Sequence, residues 1–91
     1  MSFQLIFSES YLKRANKFFK KHPEVLGQYE KALALLQLNP FHNSLRLHKL
    51  KGSLQSMHSI SINMQYRVTL EFLITENEIL LVDIGDHDQV Y

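Results

Sequence analysis

The sequence predicts an α+β fold, β-α-α-β-β-β, with two N-terminal helices packed on one face of an antiparallel sheet. Two patterns predict it. Before Pro40, apolar residues recur every three or four positions, the period of a helix with one buried side. After Gly52 they alternate with polar residues, the period of a strand. Turn signals at Gly52-Ser53, Asn63-Met64-Gln65 and Glu76-Asn77 then divide the second half into short strands that can pair as neighbours.

Each element follows from local chemistry. Phe3, Leu5 and Phe7 alternate with Gln4 and Ile6, which predicts an opening strand. Ser8 is a good N-cap, and Glu9 favours the positive end of a helix dipole. Tyr11, Leu12, Ala15, Phe18 and Phe19 then mark the apolar side of a first helix. Lys13, Arg14, Lys17 and Lys20 mark its solvated side. Pro23 stops this helix and suits the first turn of the next. The second helix carries Val25, Leu26, Tyr29, Leu33 and Leu36 and should end near Leu38, because a residue before proline resists the helical region. A connector leads to a short strand over residues 45–50. Residues 57–63 form the next strand, with His58, Ile60 and Ile62 on one face. Tyr66, Val68, Leu70 and Phe72 follow against Arg67, Thr69 and Glu71. Residues 79–84 form a mostly buried last strand that Gly85 ends. On this alternation Arg67 points away from the helices, and Ser59, Ser61 and a group just past the last strand share its face.

The totals narrow the class. At 91 residues the whole chain, 1–91, reads as a single domain. It has no cysteine, so thiolate metal sites and disulfides are excluded, and cytoplasmic chemistry fits. The longest apolar run, near residues 79–82, is too short to span a membrane. The start, Met1-Ser2-Phe3-Gln4, lacks the basic and apolar regions of a signal peptide. The net charge of +1 conceals a division. Residues 1–67 hold all ten Lys and Arg against three acids, and residues 68–91 hold six acids with no Lys or Arg. Charge divided in this way provides a surface for a polyanion.

Three separated blocks carry groups that can handle a phosphate. The first is Leu45-Arg46-Leu47-His48-Lys49-Leu50-Lys51-Gly52, the second Gln65-Tyr66-Arg67-Val68, and the third Ile84-Gly85-Asp86-His87-Asp88-Gln89-Val90-Tyr91. Together with Ile6-Phe7-Ser8 ahead of the first helix, these blocks resemble the RelE/ParE superfamily of bacterial toxins from toxin–antitoxin pairs. The resemblance covers essentially the whole chain. The ending, Gly85, then His87, then Tyr91 near the terminus, looks most like the YafQ-type branch that cuts RNA.

The resemblance implies a ribosome-dependent mRNA endonuclease that needs no metal or other cofactor. Its partners would be a cognate antitoxin and mRNA on the ribosome, with no membrane. It implies that Arg67 neutralises the scissile phosphate, that His87 transfers a proton, and that Tyr91 contacts RNA. His48 matches the family's histidine before Gly52. One departure stands out: some YafQ-like members carry a second histidine in the central strand, where this chain has Ser61. His58 lies nearby but on the wrong parity.

The residue types suit that chemistry. Cleavage through the RNA's own 2′-hydroxyl needs a base, an acid and a cation on the phosphate. His48 and His87 can move protons near neutral pH. Arg67 offers a planar fork to two phosphate oxygens. Arg46, Lys49 and Lys51 would hold the flanking backbone, and Tyr91 would stack on a base. Lys13, Lys17, Lys20 and Lys21 lie too far along the chain from these blocks to be assigned to the reaction, and are expected to meet the ribosome or an acidic partner. The acidic and histidine residues from Asp83 to Asp88 match no metal-ligand spacing. Two other functions share the fold: a ParE-like inhibitor of DNA gyrase, and a degenerate member that only binds an antitoxin.

Overall fold

A computed structural model describes residues 2–50, 57–73 and 77–86. The chain opens with strand β1 (Gln4–Phe7) and helix α1 (Glu9–Lys21). A 3-10 turn (Pro23–Val25) leads to helix α2 (Leu26–Leu38), and a second 3-10 turn spans Asn43–Leu45. Strands β2 (His48–Lys49), β3 (Met57–Ser61), β4 (Tyr66–Leu73) and β5 (Glu78–Asp86) follow. The sheet order is β1-β5-β4-β3-β2. The helices lie on one face, as the apolar periods require.

The caps act where the sequence puts them. The Ser8 hydroxyl accepts from the Tyr11 backbone N–H at 3.2 Å and starts α1. Pro23 sits at the head of the following turn, which takes Val25 out of the second helix proper. The core joins Tyr11, Ala15, Tyr29, Ala32 and Leu36 from the helices to Ile60, Val68, Leu70, Ile79, Leu81 and Ile84 from the sheet. Burying one such aliphatic side chain is worth roughly 1.5–3 kcal/mol.

Four expectations need correction. First, the sheet is mixed: β1 runs parallel to β5, while the other pairs are antiparallel. Alternation along a strand carries no information about the direction of its partner. Second, the strand expected over residues 45–50 shrinks to His48–Lys49. His42 Nδ1 accepts from the Ser44 backbone N–H at 3.2 Å, which favours a tight turn there. Arg46 then leaves the turn in the left-handed region, at φ 51°. Third, β3 stops at Ser61, because Asn63 Oδ1 accepts from the Gln65 and Tyr66 N–H groups at 2.8 and 2.9 Å and closes the β3–β4 turn. Fourth, Gly85 does not end β5. It pairs opposite Arg67, and Asp86 pairs opposite Tyr66.

A bulge explains why β5 lacks clean alternation. Thr69 pairs with Asp83 and Leu70 with Leu81, which leaves Val82 as the extra residue. The shift lets Ile79, Leu81 and Ile84 all join the core despite their mixed parity.

Candidate functional site

The register assembles the face away from the helices. His48 pairs with Ser59, Ser59 with Thr69, and Ser61 with Arg67. Residues directly opposite one another project to the same side of a sheet. His48 and Arg67, from two of the three sequence blocks and nineteen positions apart, therefore meet across β2, β3 and β4. The sequence reading expected an open face, and the structure corrects this: Ser59 is fully buried and Thr69 nearly so, with His48 and Arg67 half-buried beside them.

Hydrogen bonds run through this group in one direction. Arg67 Nη1 donates to Ser59 Oγ at 3.4 Å. Ser59 Oγ lies 3.4 Å from His48 Nε2, and His48 Nδ1 lies 3.4 Å from the Arg46 carbonyl. A carbonyl only accepts, so it selects the tautomer with the proton on Nδ1. Nε2 is then the acceptor, and the Ser59 hydroxyl donates to it. All three contacts are long for hydrogen bonds, leaving room for them to shorten around a ligand. The arrangement presents a guanidinium and a basic imidazole nitrogen on either side of one hydroxyl. That pair can hold an anion and take a proton from a group near it.

The left-handed turn at Arg46 has a local purpose. It aims the Arg46 carbonyl at the imidazole two residues on, while its own side chain is exposed. Lys49 is also exposed, but alternates to the other face together with its partner His58. Among the described candidates, then, the structure brings His48 and Arg67 together, sets Arg46 at their border and turns Lys49 outward. Lys51, His87 and Tyr91 lie outside the described residues. Ser59 is the participant that sequence reading missed. Its parity with Arg67 was visible, but its position between two ionisable groups was not.

His58 keeps the parity expected of it. Its ring meets Phe72 edge-on at 5.1 Å, and its Nδ1 is buried without a hydrogen-bond partner among the described residues. It belongs to the packing side of the sheet. No group of three or more His, Cys, Asp or Glu suited to a metal ion occurs among the described residues.

No family profile and no curated protein sequence matches the chain. Solved structures do. YafQ from E. coli superimposes with a TM-score of 0.78 at 13% identity, covering 98% of each chain. The E. coli DinJ–YafQ toxin–antitoxin complex gives 0.77 at 15% identity, over 100% of this chain and 99% of that one. The YoeB–YefM complex from Staphylococcus aureus gives 0.70 at 20% identity, over 93% and 97%. At these identities the likeness is one of fold, and it spans at least 93% of each chain. The chain has the fold of the YafQ and YoeB structures.

Proposed function

We propose that this chain is the toxin of a type II toxin–antitoxin pair, a cytoplasmic endoribonuclease that cuts mRNA on the ribosome and so inhibits translation. The observation that carries this reading is the His48–Ser59–Arg67 group on the sheet face away from the helices. A gyrase inhibitor has no need of an imidazole nitrogen aimed toward a guanidinium. In the proposed reaction the 2′-hydroxyl attacks the adjacent phosphate without a metal. His48 Nε2 exchanges its long contact with the Ser59 hydroxyl for the 2′-hydroxyl and takes its proton. Arg67 stabilises the charge that builds on the phosphate oxygens. His87, which follows directly on Asp86, returns a proton to the leaving 5′-oxygen. Arg46 and Lys51 bear on the flanking backbone, and Tyr91 stacks on a base; Lys49, on the other face with His58, takes no part.

The cognate antitoxin is proposed to cover apolar surface that the fold leaves outside. Leu38 and Phe41 are 69% and 71% exposed, and Phe41 stacks on Phe72 at 6.2 Å. Large exposed apolar groups of this kind mark interaction surfaces. The neighbour DinJ–YafQ is itself a toxin–antitoxin complex.

Induction of the chain without a partner tests the reading. Pulse labelling should show protein synthesis falling before DNA synthesis, and Arg67→Ala should abolish the effect. DNA synthesis falling first, with trapped gyrase–DNA complexes, would replace the nuclease with a gyrase inhibitor. A folded chain that stops neither process would leave only antitoxin binding.

A further inference from the structure

A second concavity lies on the opposite side of β4, between α1 and the ends of β4 and β5. It encloses about 520 Å³. One wall is cationic: Arg14, Lys17 and Lys21 recur along α1 at the spacing of one helical stripe. The floor is aromatic. Phe18 meets His22 at 4.8 Å and Tyr66 at 5.0 Å, and His22 meets Tyr66 at 4.9 Å. His22 Nδ1 and the Tyr66 hydroxyl lie 3.2 Å apart, which fixes the two rings against each other. Arg14 Nη1 donates to the Val82 carbonyl at 3.1 Å and ties α1 to β5. The far wall is lined by Asp83 and Asp86, and Asp86 lies opposite Tyr66 in the sheet.

This mixture selects among ligands. A plain polyanion would meet the acidic wall. An acidic peptide would use the lysines and waste the rings. A nucleotide satisfies all three surfaces: its phosphate suits the lysines, its base has a face for the rings, and an exocyclic amino group can donate to a carboxylate. We propose that this cleft binds one unstacked nucleotide of a single-stranded RNA, with the base against Phe18 and His22 and the phosphate toward Lys17 and Lys21. Tyr66 lines the cleft while the adjacent Arg67 projects to the opposite face, so β4 is a wall shared with the His48–Ser59–Arg67 group. The inference goes beyond the proposed cleavage and does not depend on it, because binding here is measured without ribosomes or turnover.

The test is an NMR titration of the full chain with guanosine 5′-monophosphate and, separately, with ribose 5-phosphate. Guanosine monophosphate should shift the amides of Lys17, Lys21, His22 and Tyr66. It should bind about tenfold tighter than the sugar phosphate, as expected for one stacked base. Lys17→Gln with Lys21→Gln should weaken it by about tenfold; both residues are exposed, so the fold is retained. Phe18→Leu should remove the advantage of the base and leave the sugar phosphate unaffected. Equal affinity for the two ligands, or shifts confined to other surfaces, would overturn the proposal. A hexaglutamate peptide that binds at these residues more tightly than a single-stranded RNA hexamer would also overturn it and assign the cleft to an acidic protein.

Discussion

Ser59 shows how much one small side chain decides. It is fully buried, yet its hydroxyl lies between a guanidinium and an imidazole. Ser59→Ala removes only that oxygen, so stability should fall by about 0.5–1.5 kcal/mol, the net worth of an ordinary hydrogen bond. If the group is the reaction centre, cleavage of ribosome-bound mRNA should fall by at least tenfold in the same variant, and Arg67→Ala should cost about 10²–10³-fold. Single-turnover cleavage beside thermal melting checks both. A Ser59→Ala protein as active as the parent would remove the bridge from the mechanism. Tyr11 and Tyr29 set a different residue-scale expectation. Their hydroxyls meet at 2.9 Å inside the core. Burial, then the shared hydrogen bond, holds the Tyr11 phenol well above its ordinary 10.0, and burial raises Tyr29 as well. A raised acid is more protonated when folded than when unfolded. The stabilisation is therefore complete below pH about 10 and is lost as the pH rises further, by up to roughly 1.4 kcal/mol per pH unit for the Tyr11 phenol, with a decline of the same sign from Tyr29. Urea denaturation between pH 8 and 11 should show this decline. Tyr11→Phe with Tyr29→Phe should flatten it.

At the scale of elements, the connector into β2 is the informative one. The sequence of residues 45–50 alternates well enough to predict a strand, and only two residues of it pair. Local side-chain bonds from His42 to the backbone and the left-handed Arg46 consume the rest. A non-glycine residue held there is strained by about 1 kcal/mol, since Cβ crowds the carbonyl. Arg46→Gly should therefore leave the melting temperature unchanged or raise it, while reducing affinity for RNA if the side chain holds the backbone. Equal loss of stability and binding would mean that the side chain supports the fold. The sheet centre behaves oppositely. Leu70 and Val68 are fully buried. Leu70→Ala should lose about 2–5 kcal/mol through the cavity it leaves, without altering the His48–Ser59–Arg67 face directly. Chemical denaturation of the purified variant measures the loss.

For the molecule as a whole, charge is the property that acts at a distance. All ten Lys and Arg precede Val68, and the last 24 residues are acidic or neutral apart from His87. Replacing Lys13, Lys17, Lys20 and Lys21 by Ala should weaken association with ribosomes, whose RNA these charges would meet, and reduce its salt dependence, with the fold intact. Sedimentation at several salt concentrations reads this directly; unchanged binding would make the helix a solvated surface only. These charges, the two amphipathic periods, the Ser8 cap and the Pro23 break were legible in the sequence because they depend on near neighbours in the chain. So was the parity that sends Arg67 away from the core. The sequence did not reveal that β1 lies parallel to β5, that Val82 bulges, or that β5 passes through Gly85 to lie beside Arg67 and Tyr66. Nor did it reveal Ser59 between His48 and Arg67, or the cleft that joins α1 to Tyr66. Pattern along a chain fixes which side each residue faces. Only strand register, set by how the whole core packs, fixes which residue it faces.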